Sequence, residues 1–315
     1  MDWTKRGKIF EATGQAGWMN THAQGPTALV LDDRIRVYFA SRPRNDLGLT
    51  TFIDLDRDNP SRVLDLNERP ILDLGKPGTF DNHGVFPNHV RMTNGKVFLY
   101  YLGWYRGSSV PYHIAVGLAV SNDGGRTFEK MFDGPVLDRS AREPYSLGAL
   151  TIVERDGLQH AFYTSFFDWL AVGGRLEPLY HIKHAVSEDG ICWHKTDDVC
   201  IGQRHNGEAV ARPAVVLRNG RYHMWFCYRG SNDFRDGADS YRIGYAWSDN
   251  LLEWTREDGL AGISVSPDGW DSKMLAYPYI VEVGGRQLMF YNGNGFGASG
   301  FGYATASWSN DDGGP

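Results

Sequence analysis

A hairpin written five times dominates this sequence. Its clearest copy lies between Ala211 and Arg229: the apolar run Ala214-Val-Val-Leu217, the turn Asn219-Gly220, then an alternating run carrying Tyr222, Met224, Phe226 and Tyr228. Asn-Gly between two such runs is a strong hairpin signal, because both turn positions need φ > 0. A third run, Tyr241-Arg-Ile-Gly-Tyr-Ala-Trp-Ser248, follows a polar loop, and Glu253-Trp254-Thr255 opens a fourth. The unit is a four-stranded meander.

Taking the second turn residue as marker gives Asp33, Gly95, Gly157, Gly220 and Gly285, spaced 62 to 65 residues apart. A fixed period of this kind is the signature of a repeat architecture. Second strands match as Val37-Tyr-Phe39, Phe98-Leu-Tyr-Tyr101, Ala161-Phe-Tyr163, Met224-Trp-Phe226 and Leu288-Met-Phe-Tyr291. Third strands end alike in Ala119-Val-Ser-Asn-Asp-Gly124, Ala185-Val-Ser-Glu-Asp-Gly190 and Ala246-Trp-Ser-Asp-Asn250, each with an aromatic just beyond: Phe128, Trp193 or Trp254. Four-stranded sheets repeated radially are the blades of a β-propeller, so the expected fold is all-β with five blades. The last copy stops after its third strand, Gly302-Tyr-Ala-Thr-Ala306, while Asp2-Trp3-Thr4-Lys5 repeats the pattern of Glu253-Trp254-Thr255-Arg256. The N-terminus is therefore expected to supply the outer strand of blade five and close the ring, leaving no free strand edge. One propeller domain over 1–309 and a tail over 310–315 follow.

Charge and composition narrow the function. The net charge of −6 comes with no basic cluster, so a nucleic-acid partner is not expected. No apolar stretch nears the roughly 20 residues that span a bilayer, and the N-terminus has no apolar core of a secretory signal. A cytoplasmic protein without a membrane partner is the expectation; oligomeric state is not readable. Cys192, Cys200 and Cys227 have neither disulfide-framework nor zinc-like spacing, and Cys227 reads as a small core residue.

Chemistry is sought where each chain segment leads into the innermost strand of its blade. These lead-ins are 20–26, 80–88, 142–148, 206–213 and 270–278, each polar where a buried strand would be apolar. Relative to the markers, Asp81, Glu143 and Asp271 share one offset, and Glu208 falls two residues later on the same strand face. Four carboxylates are thus expected to converge on the axis, unless they satisfy turn amides or pair with arginines. Arg42, Arg212 and Arg229, at strand ends near the same rim, suit bidentate recognition of a carboxylate or phosphate, or pairing with those acids. His22, Gln24, His83, Trp104, Tyr145, Trp169 and Tyr277 complete the candidate substrate contacts. Flat apolar faces among acids, Arg, Asn and His suit a sugar ring and its hydroxyls. Trp193, Trp225 and Trp254 recur with the blade and read as core. His83 and His89 share a strand face near Asp81, yet no metal ligand set is assigned; no cofactor is required, and a structural cation in the channel is compatible with the sequence. Gly293-Asn-Gly-Phe-Gly297 lacks the strand–turn–helix setting of a nucleotide loop and reads as a hairpin connection.

Five blades, acids in the lead-ins and the repeated Ala-x-Ser-x-Asp-Gly endings resemble the glycosidase superfamily of invertases and levanases, arabinanases and β-xylosidases, and mannoside phosphorylases. In the arabinanase and xylosidase group the general acid is a Glu entering blade three, matched by Glu143 in Arg142-Glu-Pro-Tyr145, and the blade-two Asp that tunes it is matched by Asp81. The resemblance has one gap. Those families place an Asp at the start of blade one, where this chain has Trp18-Met-Asn-Thr-His-Ala-Gln-Gly-Pro26, with Thr21 in its place.

The first functional expectation is a glycosidase with Glu143 as general acid, Asp81 as modulator or base, and Glu208 as alternative base or nucleophile; carboxyls about 5 Å apart imply retention, and roughly 6.5–9.5 Å inversion. The second is a phosphorylase or transferase acting on a phosphorylated sugar held by Arg42, Arg212 and Arg229. The third is a non-catalytic glycan-binding propeller.

Overall fold

The computed structural model describes residues 1–43, 47–235 and 237–306. The expected domain end at 309 and the tail 310–315 lie outside the described residues.

Strand β1 (Thr4–Phe10) precedes blade one, which is β2 (Thr21–Val30), β3 (Arg34–Arg42), β4 (Leu49–Asp56) and β5 (Val63–Leu66). Blade two is β6 (Gly84–Thr93), β7 (Lys96–Arg106), β8 (Tyr112–Ser121) and β9 (Glu129–Lys130). Blade three is β10 (Leu147–Arg155), β11 (Leu158–Val172), β12 (Arg175–Ser187) and β13 (His194–Ile201), and blade four is β14 (Ala209–Arg218), β15 (Arg221–Arg229), β16 (Arg242–Ser248) and β17 (Thr255–Arg256). Blade five is β18 (Ala276–Val283), β19 (Arg286–Asn292) and β20 (Phe301–Ala306), completed by β1 in the order β1-β20-β19-β18. All five sheets are antiparallel, and the inner strands touch in a closed ring, β18 meeting β2. The expected N-terminal closure is what forms: Thr4 and Lys5 pair with Thr305 and Ala304.

Local chemistry explains the repeat. Asn219 and Gly220 sit at φ 50 and 77, as the tight hairpin demands. The Ser-x-Asp/Asn endings are turns closed by their own side chains: Asp123 accepts from Arg126 N and Thr127 N, Asp189 from Ile191 N and Cys192 N, and Asn250 from Leu252 N and Glu253 N. Consecutive blades lock on these turns, with Tyr38 Oη donating to Gly125 O and Tyr100 Oη to Gly190 O. Trp225 is buried against Trp3 of the closing strand, 5.4 Å between ring centres, and Cys227 is buried as expected. Residues 293–300 do form a hairpin connection, between β19 and β20.

Each inner strand also carries a bulge at one shared offset. The register skips at Gly25-Pro26, Asn88, Ala149-Leu150, Arg212-Pro213 and Tyr277-Pro278. Ala149, Arg212 and Tyr277 hold φ of 45, 54 and 56 there, conformations a non-glycine residue adopts only under constraint.

Candidate functional site

The four lead-in acids are buried, but none is a bare carboxylate. Asp81 Oδ2 takes Lys130 Nζ at 2.5 Å and Tyr101 Oη at 2.9 Å, while Thr79 Oγ1 donates to Oδ1. Asp271 Oδ2 takes Lys5 Nζ at 2.6 Å and Tyr291 Oη at 3.0 Å. Glu208 forms a fork with Arg256, at 2.8 and 2.9 Å, and accepts Arg204 N. Glu143 receives Tyr163, Ser165 at 2.8 Å, Lys195 at 2.9 Å and Lys183 at 3.3 Å. Burial pushes the Glu143 carboxyl up, but Lys195, Ser165 and Lys183 outweigh it and hold the group below its ordinary range. Burial likewise opposes the charge on Glu208, and Arg256 with the Arg204 amide prevails.

Each clamp is internal to a blade. The acid comes from the lead-in, the aromatic from the second strand, and the cation from the fourth: Lys130 on β9, Lys195 on β13, Arg256 on β17, Lys5 on β1. The tyrosine position holds Tyr101, Tyr163, Phe226 and Tyr291, each six residues after its marker. Blade one shows what happens without the acid. Met19, fully buried, stands at the offset of Asp81, Phe39 takes the tyrosine place, and Leu66 on β5 takes the lysine place, all three in one apolar cluster. Acid, donor and cation vanish together, as parts of a structural clamp would. Asp81, Glu143, Glu208 and Asp271 are thus each paired with a cation of their own blade.

The axis itself is occupied by Arg212. From the bulge of blade four its guanidinium donates to Asn88 Oδ1 of blade two at 2.7 Å and Thr27 Oγ1 of blade one at 3.0 Å. Neither blade adjoins blade four, so this side chain spans the channel. Tyr279 of blade five crosses too, its hydroxyl 3.4 Å from Val90 O of blade two, with the Arg212 guanidinium 5.8 Å from its ring centre. Arg212 and Tyr279 thus bridge blades that do not adjoin, and the lead-in end of the ring around Arg212 is termed the bowl. None of Arg212's hydrogen-bond partners is a carboxylate, and burial pulls its pKa down to about 10. Among the described residues, Nδ2 of Asn88 and Nδ1 of His22 and His89 have no hydrogen-bond partner.

Around the bowl, Arg42 donates to Gln24 Oε1 at 2.8 Å. His22, at φ 62, is driven to a pKa of about 4 by burial and then by Arg42, so it is a neutral imidazole. Tyr277 faces Tyr241 at 5.7 Å, and from there an aromatic wall continues through Tyr180, Phe166, Trp169 and Tyr112. Arg229 anchors it, stacked 3.9 Å over Phe234 and donating to Tyr180 Oη at 3.0 Å and Pro178 O at 2.8 Å. Trp104 lies flat across Gly84, where a Cβ would fall 1.6 Å from its Nε1, beside His83. The structure thus groups His22 and Gln24 with Arg42, brings Tyr277 near both Arg42 and Arg212, and sets Trp169 with the tyrosine wall. Tyr145 is exposed and stands outside that wall, and Trp270 stacks on Tyr291 beside the Asp271 clamp. Tyr112, Tyr180 and Tyr241 were missed, because they lie on third strands or their approaches rather than in lead-ins; their spacing carries no local signal.

The fold defines the class: this is a five-bladed β-propeller of four-stranded antiparallel blades. A glycosyl hydrolase from Bacteroides ovatus superposes with a TM-score of 0.74 at 12% identity, over 97% of this chain and 93% of its own. A thermostable family-43 glycoside hydrolase gives 0.66 at 18% identity, covering 94% of each chain. A structure reported for the GH130 family of mannoside phosphorylases, described as containing glycoside hydrolases that target β-1,2 mannosidic linkages, gives 0.71 at 14%, over 97% and 94%. No protein-family model matches the chain. By sequence it belongs to the family of the Mycobacterium tuberculosis proteins "Uncharacterized protein Rv1502" (strain ATCC 25618 / H37Rv) and "Uncharacterized protein MT1551" (strain CDC 1551 / Oshkosh), being 34% identical to each over 307 residues that span 96% of this chain and 99% of theirs.

Proposed function

We propose that this chain acts on a carbohydrate bearing an anionic group, a phosphorylated sugar first among them, bound in the bowl above Arg212. The observation that carries the reading is the guanidinium on the axis, buried and bonded only to the neutral Asn88 and Thr27. A buried charge without a counter-charge is costly, and an arriving phosphate or carboxylate supplies one. Arg42 and Gln24 stand at the rim to meet the same anion, neutral His22 can accept from a hydroxyl, and Tyr277 and Trp169 offer faces to the ring. The glycan-directed activities of the structural neighbours support a sugar as the substrate class. Such a site fits a phosphorylase or transferase, in which phosphate stands where a hydrolase would use a second carboxylate.

Hydrolysis by a carboxylate pair is the second reading, favoured by the neighbours' fold. It requires Glu143 to be protonated when substrate arrives, and a general acid works with a raised pKa. The lysines on Glu143 act in the opposite direction.

Calorimetric titration with mannose 1-phosphate, glucose 1-phosphate and the parent sugars tests the proposal. Binding of the phosphorylated forms should be tighter by at least about tenfold, the value of one charge-assisted contact, and this advantage should be lost in Arg212→Met. Equal affinity for charged and neutral sugars would defeat it, as would turnover that needs no phosphate and is lost in Glu143→Gln.

A further inference from the structure

The turn end of the ring, opposite the bowl, carries a second opening. On the face each blade turns to the next, the residue three beyond the marker and one on the third strand stand side by side. In four blades this corner is occupied by polar or bonded side chains. Arg36 lies 4.0 Å over Phe52 and forks onto Asp54, His160 bonds His184 at 3.0 Å, His223 bonds Tyr245 at 2.6 Å, and Tyr303, beside Leu288, meets Ser61 of blade one at 2.9 Å. In blade two the pair is Phe98 and Leu118, which cannot bond each other, and between blades two and three a cavity of about 290 Å³ remains. Met131 and Ile191 extend its apolar lining, and Arg91 and Lys96 stand at its edge.

Arg91 is poised for a ligand. Its Nε is buried without a partner, while Nη1 pairs at 2.8 Å with Glu154, a carboxylate that is 71% exposed and so easily exchanged. Asp189, which also lines the cleft, accepts the amides of Ile191 and Cys192 and the Ser187 hydroxyl on Oδ1. An apolar slot with a half-satisfied guanidinium and an exposed ammonium selects a flat apolar body with one negative group. We propose that this cleft is a second binding site, for a small aromatic or similarly planar anion carrying a carboxylate, sulfonate or phosphate. It is independent of the bowl and of the reaction performed there.

The test uses 8-anilinonaphthalene-1-sulfonate as probe, titrated by fluorescence into the full-length protein, with neutral N-phenyl-1-naphthylamine for comparison. One saturable site is expected for the sulfonate. Arg91→Gln should weaken it about tenfold, as loss of one charge-assisted contact does. Ile191→Trp, which fills the slot from its partly exposed wall, should abolish it, and Arg91→Lys should recover part of the affinity. Arg212→Met should leave it unchanged. Thermal melts of each variant establish that it is folded. Affinity within twofold of wild type in both Arg91→Gln and Ile191→Trp, loss in Arg212→Met, or the absence of any saturable site would overturn the proposal.

Discussion

Glu143→Gln separates a structural from a catalytic carboxylate, and the structure gives the size of the effect. Glutamine keeps the shape and the acceptor for Ser165 but removes the charge that holds Lys183 and Lys195, whose side chains are 8% and 16% exposed. Breaking a buried ion pair from one side costs about 3–5 kcal/mol, since the remaining charge is left without compensation. Lys195 keeps the Asp138 carbonyl as an acceptor, so the lower end, about 3 kcal/mol, is expected. Against a total stability of roughly 5–15 kcal/mol this is a large fraction. The assay is urea unfolding followed by tryptophan fluorescence, where the midpoint should fall with the slope unchanged. Blade one then supplies the control. The quadruple change Glu143→Met, Tyr163→Phe, Lys183→Thr and Lys195→Leu copies Met19, Phe39, Thr51 and Leu66, and well-packed apolar residues replace buried ion pairs at little cost. It should unfold at a higher urea concentration than Glu143→Gln alone. A Glu143→Gln protein as stable as wild type would refute the reasoning and return Glu143 to the role of general acid.

Lys5→Met leaves the buried Asp271 carboxylate with the Tyr291 hydroxyl on Oδ2 but without its cation, and should cost about 3 kcal/mol in the same urea assay despite lying five residues from the N-terminus. Arg212→Met should lower affinity for a sugar phosphate by about 10- to 100-fold in calorimetry, while the melting temperature moves little because the bonds lost to Asn88 and Thr27 are offset by removal of an uncompensated charge. Acid should destabilise the ring before its carboxylates titrate. Burial holds His184 at about 4 and His89 at about 3, below the ordinary histidine value of about 6.5, so the unfolded chain binds their protons first. Stability is then full above pH 6.5 and falls as pH drops toward 4, by about 2 kcal/mol for each histidine at pH 5. His184→Phe, against Phe162, should flatten the pH dependence of the melting temperature, and an unchanged slope would count against it.

The ring was legible because its information is periodic. Turn residues at φ > 0, alternating apolar strands and Ser-x-Asp endings recur at a spacing no local accident produces, and Trp3 with Lys5 repeats Trp254 with Arg256 closely enough to announce closure from the far end of the chain. The bowl was legible in part: His22, Gln24, Arg42, Arg212 and Tyr277 stand in lead-ins or strand ends, where a strand-by-strand reading looks. The partners of the acids were not. Lys130, Lys195, Arg256 and Lys5 sit on short outer strands where a surface cation is unremarkable, and only the folded blade shows that each reaches inward to the lead-in acid. The reach of Arg212 across the axis is likewise invisible, since its span depends on a bulge that re-aims one side chain.

Recurrence has a consequence for where chemistry belongs in such a chain. A feature that recurs in four blades, such as the acid clamp, is accounted for by what a blade needs: a fastening between its lead-in and its outer strand. A feature found once needs another cause. At the shared bulge the five blades place Gly25, Asn88, Ala149, Arg212 and Tyr277, and Arg212 and Tyr277 are large residues in a backbone conformation that opposes them. Strain of this kind costs on the order of 1–3 kcal/mol per residue and persists where the surroundings enforce it. Arg212 and Tyr277 are also the two bulge residues that meet at the bowl. If the bowl is the working site, Arg212→Gly, which relieves the strain, should lose the anion yet retain the fold, whereas removing any one clamp acid should lower stability and leave anion binding intact. A clamp variant that keeps its stability but loses sugar binding would show that register was the wrong guide.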